Sequence, residues 1–205
     1  MNGNVVNAPI SFWDFIGENK IQIPIIQRDY AQGRKDKVDL RCNFLHELKD
    51  ALENDRPLLL DFVYGTNNNG VSPLDGQQRL TTLWLLHWYY AFKNNKNEFS
   101  DVLRKFTYQT RVSSREFIEK LCELIKLNNK KQVGDIAEFI QNQTWFSYSW
   151  KQDPTIQAML IMLSGWDTVG RSGRKFLPNR SKPLRQRKKI AFKHRKTTTP
   201  HRKGD

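Results

Sequence analysis

The chain has little cysteine, little histidine and no long apolar run. Cys42 and Cys122 are the only cysteines among 205 residues, and neither has a C-x-x-C neighbour. That excludes a disulfide framework and argues against a zinc site, leaving two reduced, core-facing thiols as the expectation. The four histidines, His46, His87, His194 and His201, share no ligand-like spacing. No histidine-built metal centre is therefore expected, and His87, inside "LWLLHWYY", reads as a core residue. No apolar stretch approaches the ~18 residues of a membrane span, and no secretory signal opens the chain. These absences predict a soluble, cytoplasmic protein with no membrane partner. Acid is missing from one region only, for none occurs between Asp167 and Asp205.

The formal net charge is +13, but it is unevenly spread. Residues 164–205 hold 14 Lys and Arg against two acids, whereas the rest holds 20 against 19. The body is nearly neutral and the tail carries the excess. The tail also lacks apolar periodicity and is rich in Gly, Pro, Arg and Lys. Such a segment cannot bury enough surface to offset its ordering entropy, so disorder is expected from Ser164 onward.

Along the body, "SFWDFIGENK" (11–20) reads as a short helix capped by Ser11. "KIQIPIIQRDY" (20–30) alternates like a strand up to Pro24, which cannot donate to a ladder. Residues 36–54 form an amphipathic helix pattern. "PLLLDFVYG" (57–65) is strand-like, and "TNNNG" (66–70) is a turn. Past Asp75 the pattern is almost wholly helical. Residues 78–95 are apolar on most faces, which predicts a buried central helix. Ser113 and Glu116 make a capping box for a helix over 113–128. Further helices are expected over 132–143 and 153–163, the last capped by Asp153 with Pro154 at its first position.

Between the turn and the central helix lies "LDGQQRLTTL" (74–83). Asp75 is a good N-cap and Gln78 falls at the reciprocal position, so an ordinary helix start accounts for the segment. A functional reading uses the same geometry. A helix N-terminus presents backbone N–H groups and the positive end of the dipole, an arrangement suited to phosphate. Gly76 lets a ligand approach the backbone, Gln77 and Gln78 offer donors and acceptors, and Arg79 offers a planar fork matched to phosphate oxygens. Asp75 would then hold a metal ion or orient water. A carboxylate beside phosphates needs a cation, so this reading implies Mg²⁺. "IPIIQRDY" (23–30) places Gln27, Arg28 and Tyr30 just past a strand end, and both clusters can line one cleft. "RVSSRE" (111–116) is a third polar cluster, readable as a helix cap or as an anion contact.

The order "IPIIQRDY", "DFVYG", "LDGQQRLTTL" resembles the N-terminal domain of GmrSD-type restriction systems, and 106–117 and 143–163 resemble its following helical segment. The resemblance spans roughly residues 10–163. It implies a ParB/sulfiredoxin-like nucleotide site, with NTP hydrolysis coupled to cutting of modified phage DNA. Carried over by motif, Gln27 and Arg28 come from the first signature, and Asp75, Gly76, Gln77, Gln78 and Arg79 from the second. Asp75 becomes the catalytic and metal-binding candidate, the others nucleotide ligands. Gln32 stands where the first signature often has tryptophan. Members of the family often carry a His-Asn-His nuclease domain that has no counterpart in this sequence, so cutting would fall to a missing domain or a partner subunit.

The expected architecture is α+β. A small ParB/sulfiredoxin-like mixed sheet with helices occupies 10–95, a helical continuation 96–163, and a disordered basic tail 164–205. The tail reads either as a nucleic-acid-binding arm or, because the resemblance ends at Leu163, as the product of a frameshift or truncation. The functional expectation is an NTP-binding, NTP-hydrolysing restriction module. The alternatives are a nucleotide-switched DNA-binding regulator and an inactive remnant.

Overall fold

The computed structural model describes residues 9–24, 30–67, 70–127, 133–171, 190–192 and 194–197. Its first element is the two-residue strand β1 (Ile10–Ser11), which runs into helix α1 (Phe12–Glu18). The Ser11 hydroxyl caps that helix by accepting from the Asp14 N–H at 3.1 Å, as its sequence predicts. Strand β2 (Ile21–Ile23) stops just short of Pro24. Two three-residue 3₁₀ turns, Ala31–Gly33 and Lys35–Lys37, lead into α2 (Val38–Glu53). The apolar run after it divides into β3 (Leu58–Leu59) and β4 (Val63–Asn67), followed by β5 (Val71–Asp75).

Helix α3 (Gln77–Lys93) is the hub of the molecule. Every residue from Leu80 to Phe92 is buried, because α1, α4 (Phe99–Leu103), α5 (Val112–Leu127) and α7 (Pro154–Arg171) all pack on it. Its polar groups find partners inside the core. The Trp84 indole donates to the Leu103 carbonyl at 3.0 Å and the Trp88 indole to the Leu121 carbonyl at 2.7 Å. His87 stacks on Trp13 with ring centroids 5.8 Å apart, and its Nδ1 lies 2.7 Å from the Leu83 carbonyl. It is a core residue, as expected. Both cysteines are free: Cys122 is buried and Cys42 half-buried.

The chain folds as a mixed sheet with helices followed by a helical segment, and the sheet explains how the clusters meet. Strand β6 (Phe106–Tyr108) has no counterpart in the periodicity of the sequence. Four strands lie in the order β6-β2-β5-β4, extended at the β4 edge by β8 (His194–Thr197). Strand β2 is parallel to both β5 and β6, while β4 runs antiparallel to β5. The carboxyl ends of β6, β2 and β5 therefore open on the same edge. A second sheet, of order β1-β7-β3, receives β7 (Ile190–Phe192) between two chain-distant strands.

Helix α7 continues beyond Leu163 to Arg171. Trp166 is fully buried there, and the buried Asp167 carboxylate accepts from the Tyr89 hydroxyl and pairs with Lys93, each at 2.9 Å. That anchor holds the helix through Gly165 despite its weak propensity. Within the expected tail, α7 continues over 164–171, and β7 and β8 pair with established strands. The tail positions between them lie outside the described residues.

Candidate functional site

At their carboxyl ends β5 leads into the Asp75–Arg79 cluster and β6 towards "RVSSRE", while of "IPIIQRDY" after β2 only residues 23–24 and 30 are described. From β5 the chain passes through Gly76 into α3. Gly76, not Asp75, is the N-cap residue, and it sits in the left-handed region at φ 85°. A Cβ there would lie 2.6 Å from Val63 Cγ2, so both the conformation and the close approach require glycine. Asp75 is the last residue of β5, and no side chain caps α3. The capping-box expectation for Asp75 and Gln78 is thus replaced by a strand-to-helix turn on glycine.

Both amides are used for construction. Gln77 Nε2 donates to the Pro73 carbonyl at 2.9 Å, tying the turn to its own strand. Gln78 Oε1 accepts from the Ala31 N–H at 2.8 Å and the Gln32 N–H at 3.4 Å. It thereby fastens the turn that follows the first signature onto the start of α3. Beneath that bridge lies a buried hydroxyl relay. Tyr30 lies 2.5 Å from the Thr82 hydroxyl, and Thr82 lies 2.5 Å from Gln32 Oε1 and 3.0 Å from the Gln78 carbonyl. Both latter groups only accept, so the Thr82 proton goes to one of them and Tyr30 donates to Thr82. Burial pushes the Tyr30 and Tyr108 phenols well above their ordinary value, which keeps them protonated as donors. Tyr108 lies 3.1 Å from Thr81, joining β6 to the same helix turn.

The guanidinium of Arg79 faces the β3–β4 connection. Nη1 pairs with Asp61 at 3.1 Å, and Nη2 donates to the Phe62 carbonyl at 2.7 Å and pairs with Asp75 at 3.3 Å. Nε is buried without a partner among the described residues. Asp61 and Asp75 are mostly exposed, at 72% and 57%. The Phe62 N–H, and after it Arg79, hold the Asp61 carboxyl below the usual carboxylate range. One cation between two carboxylates leaves the cluster one charge negative. Sequence reasoning missed Asp61. Its only signal was an acid closing the apolar run "PLLLD", a place where a strand end meets solvent.

Gln27 and Arg28 lie outside the described residues. The flanking Ile23 and Tyr30 are described, and the Ile23 carbonyl accepts from the Gln109 N–H at 2.8 Å on this edge. The third cluster is rebuilt by the structure. Helix α5 begins at Val112, so Ser113 is inside it and is not its cap. The Ser113 hydroxyl instead donates to Asp153 at 2.5 Å, while Arg111 donates to the Thr155 hydroxyl at 2.7 Å. Asp153 caps α7 as expected, accepting from the Thr155 and Ile156 N–H groups at 2.9 and 3.1 Å. "RVSSRE" therefore ties α5 to α7. Among the described residues, no group of three or more His, Cys, Asp or Glu side chains forms a metal cage, and no helix is long and apolar enough to cross a membrane.

No curated protein and no solved structure matches this chain. A family match exists, and it extends past Leu163, where the motif resemblance ends. The family pattern therefore covers residues just beyond that point. Over residues 12–194 the chain matches the GmrSD restriction endonuclease, N-terminal domain, and it belongs to that family.

Proposed function

We propose that this chain is the nucleotide-binding, NTP-hydrolysing module of a modification-dependent restriction system, and that its ligand is the Mg²⁺ complex of an NTP. The observation that carries this reading is the shared edge. Three parallel strands end there, and one of them feeds directly into the unstapled N-terminus of a 17-residue helix. Open sheets of mixed or parallel strands bind ligands outside the carboxyl ends of their strands. A helix start at that place favours phosphate.

The charges present fit a metal-complexed triphosphate better than a bare one. Asp61, Asp75 and Arg79 sum to minus one, which repels naked phosphates and attracts a hard divalent cation with oxygen preference. Asp75 and Asp61 would hold the ion, and the first-turn N–H groups of α3 would take phosphate oxygens. When bound, Mg²⁺ supplies charge neutralisation and a more acidic water. Arg79 positions the two carboxylates, and the buried relay of Gln78, Gln32, Thr82 and Tyr30 keeps the first-signature turn locked to α3. Asp75, held by one ion pair at 3.3 Å, is the residue free to orient a nucleophilic water. Gln27 and Arg28 would complete the pocket from the β2 side.

DNA is the further partner. The excess positive charge of residues 164–205 gives a polyanion contact whose strength falls with salt. Strand cutting is assigned to a nuclease on another domain or subunit, in the cytoplasm.

The test is nucleotide titration with a phosphate-release assay on wild type, Arg79→Ala and Asp75→Ala. Arg79→Ala weakens NTP binding, because Asp61 and Asp75 lose the guanidinium that positions them. Asp75→Ala abolishes turnover more than binding. Unchanged binding and turnover in both variants return the turn to a purely structural role. Tight binding without phosphate release in wild type favours the nucleotide-switched regulator.

A further inference from the structure

Between Gln32 of the Ala31–Gly33 turn and α2 lies a cavity of about 220 Å³, lined by Gln32, Leu40, Arg41, Asn43, Phe44 and Glu47. Arg41 projects from the buried face of α2, in helical register with Leu45, Leu48 and Leu52. It is only 9% exposed. An arginine guanidinium stays charged at any ordinary pH and carries five N–H donors. Among the described residues one donor is used, Nη1 to the Arg34 carbonyl at 2.9 Å, and no carboxylate pairs with the charge. The one acid on the cavity wall, Glu47, is exposed at the rim, where water screens it.

The remaining guanidinium N–H groups of Arg41 are not among the buried atoms that lack a partner, so they open onto the cavity and its solvent. Among the described residues the lining adds the Gln32 and Asn43 amides and one carboxylate, Glu47. Gln32 Oε1 is held by the Thr82 hydroxyl, so the part of its amide left for a ligand is the NH₂ group. Asn43 adds another amide at the rim. The cavity is smaller than the roughly 300 Å³ at which drug-sized ligand pockets begin, which suits a compact ligand. Phe44 is half-buried and Leu40 is exposed, so they line the mouth of the cavity with apolar surface.

We propose that this cavity is a binding subsite for a phosphate-sized oxyanion, gripped by Arg41 with help from the Gln32 and Asn43 amides. The anion is either free phosphate or a phosphate group of a larger ligand. The subsite shares Gln32 with the relay that fastens the turn to α3, but none of the residues Asp61, Asp75 or Arg79, so Arg41→Met tests it apart from the reading of α3. It nevertheless adjoins that edge, because the backbone N–H of Gln32 points to Gln78 on α3.

The experiment is thermal unfolding of the full chain in inorganic phosphate against chloride at equal ionic strength, with calorimetric titration of phosphate. Phosphate raises the melting temperature of wild type. Arg41→Met, which keeps the packing stem, weakens phosphate binding at least tenfold. Gln32→Trp fills the cavity with the residue that the family signature often has there, leaves Arg41 in place, and also removes the shift. Arg79→Ala retains it. If Arg41→Met fails to fold, Gln32→Trp decides the matter in the same sense. No phosphate-specific shift in wild type overturns the proposal. So does a shift that persists in the cavity variants, which assigns the anion to the basic tail. A nucleoside triphosphate arm separates the two sources. Competition between triphosphate and phosphate that is lost in Arg41→Met identifies the anion as part of the nucleotide, and its absence leaves free phosphate.

Discussion

Replacing Gly76 by alanine tests the geometry on which the site depends. The residue sits at φ 85°, where an L side chain costs about 1–2 kcal/mol from its own backbone. The added methyl also has nowhere to go. It would stand 2.6 Å from Val63 Cγ2, 3.2 Å from Val63 Cβ and 3.3 Å from Val63 Cα. Val63 is fully buried and its side chain is short, so relief requires movement of β4 or of the turn. Overpacking of that kind costs about 1–3 kcal/mol. The expected loss is about 2–5 kcal/mol, a large part of the 5–15 kcal/mol that holds a typical domain together. Urea unfolding followed by tryptophan fluorescence measures it. A partner substitution sharpens the test, because the Gly76→Ala and Val63→Ala pair removes the 2.6 Å clash with Cγ2 but not the close contacts to Val63 Cβ and Cα or the backbone strain. The double variant should therefore be more stable than the sum of the two single losses implies. A Gly76→Ala protein as stable as wild type would refute the reasoning, for it would mean that the turn does not hold this conformation.

Two pH-dependent outcomes follow from named groups. Burial lowers the His87 imidazole to about 4 from an ordinary 6.5. The folded state thus binds this proton less readily than the unfolded chain. Stability is unaffected by it above pH ~6.5 and falls as pH drops from there towards 4, by on the order of 3 kcal/mol in total. His87→Leu should flatten that slope in unfolding curves taken between pH 7 and 4, and an unchanged slope would place the titration elsewhere. The Asp61 carboxylate is held low by the Phe62 N–H and then by Arg79. Its contribution is present above its unfolded pKa of about 3.8 and fades as pH falls through the lower folded value. Carboxyl NMR should show Asp61 titrating below that value in wild type and nearer to it in Arg79→Ala. An identical Asp61 titration in the two proteins would deny the ion pair.

Much of this fold was legible because its helices carry strong local signals. Ser11 and Asp153 announce their helices by side-chain capping, and the apolar density of residues 78–95 marks the hub whatever packs around it. The strands were harder. β6 spans three residues, and β7 and β8 only three and four. No alternation can be read over such lengths, and their pairing is decided by chain-distant partners. The same reason hid the continuation of α7. Gly165 and Gly170 interrupt the pattern locally, whereas burial of Trp166 and the Lys93–Asp167 pair hold the helix together across the core.

In the candidate site, the local placement of residues was more legible than their side-chain contacts. Asp75, Gly76, Gln77, Gln78 and Arg79 do occupy a strand-to-helix turn at a sheet edge. Asp75 yields the cap to Gly76, however, since one left-handed residue stands between the end of β5 and the first turn of α3. Gln77, Gln78 and Arg79 all make contacts within the fold that a linear motif does not encode. Gln78 reaches Ala31 and Gln32, and Arg79 reaches Asp61, each across a wide sequence separation. Arg41 did carry a readable sign. It falls on the apolar face of α2 at the spacing of Leu45 and Leu48, where a charged residue is out of place.

The central claim is that the shared strand edge, with its net negative carboxylate–guanidinium cluster, takes a metal-complexed triphosphate at the start of α3. Calorimetric titration of the full chain with an NTP, in Mg²⁺ and in EDTA, measures this most directly. The account predicts clear binding in Mg²⁺, weakened strongly when the ion is withdrawn and weakened again by Asp75→Ala. Binding of equal strength in EDTA, or no binding under either condition, would contradict it.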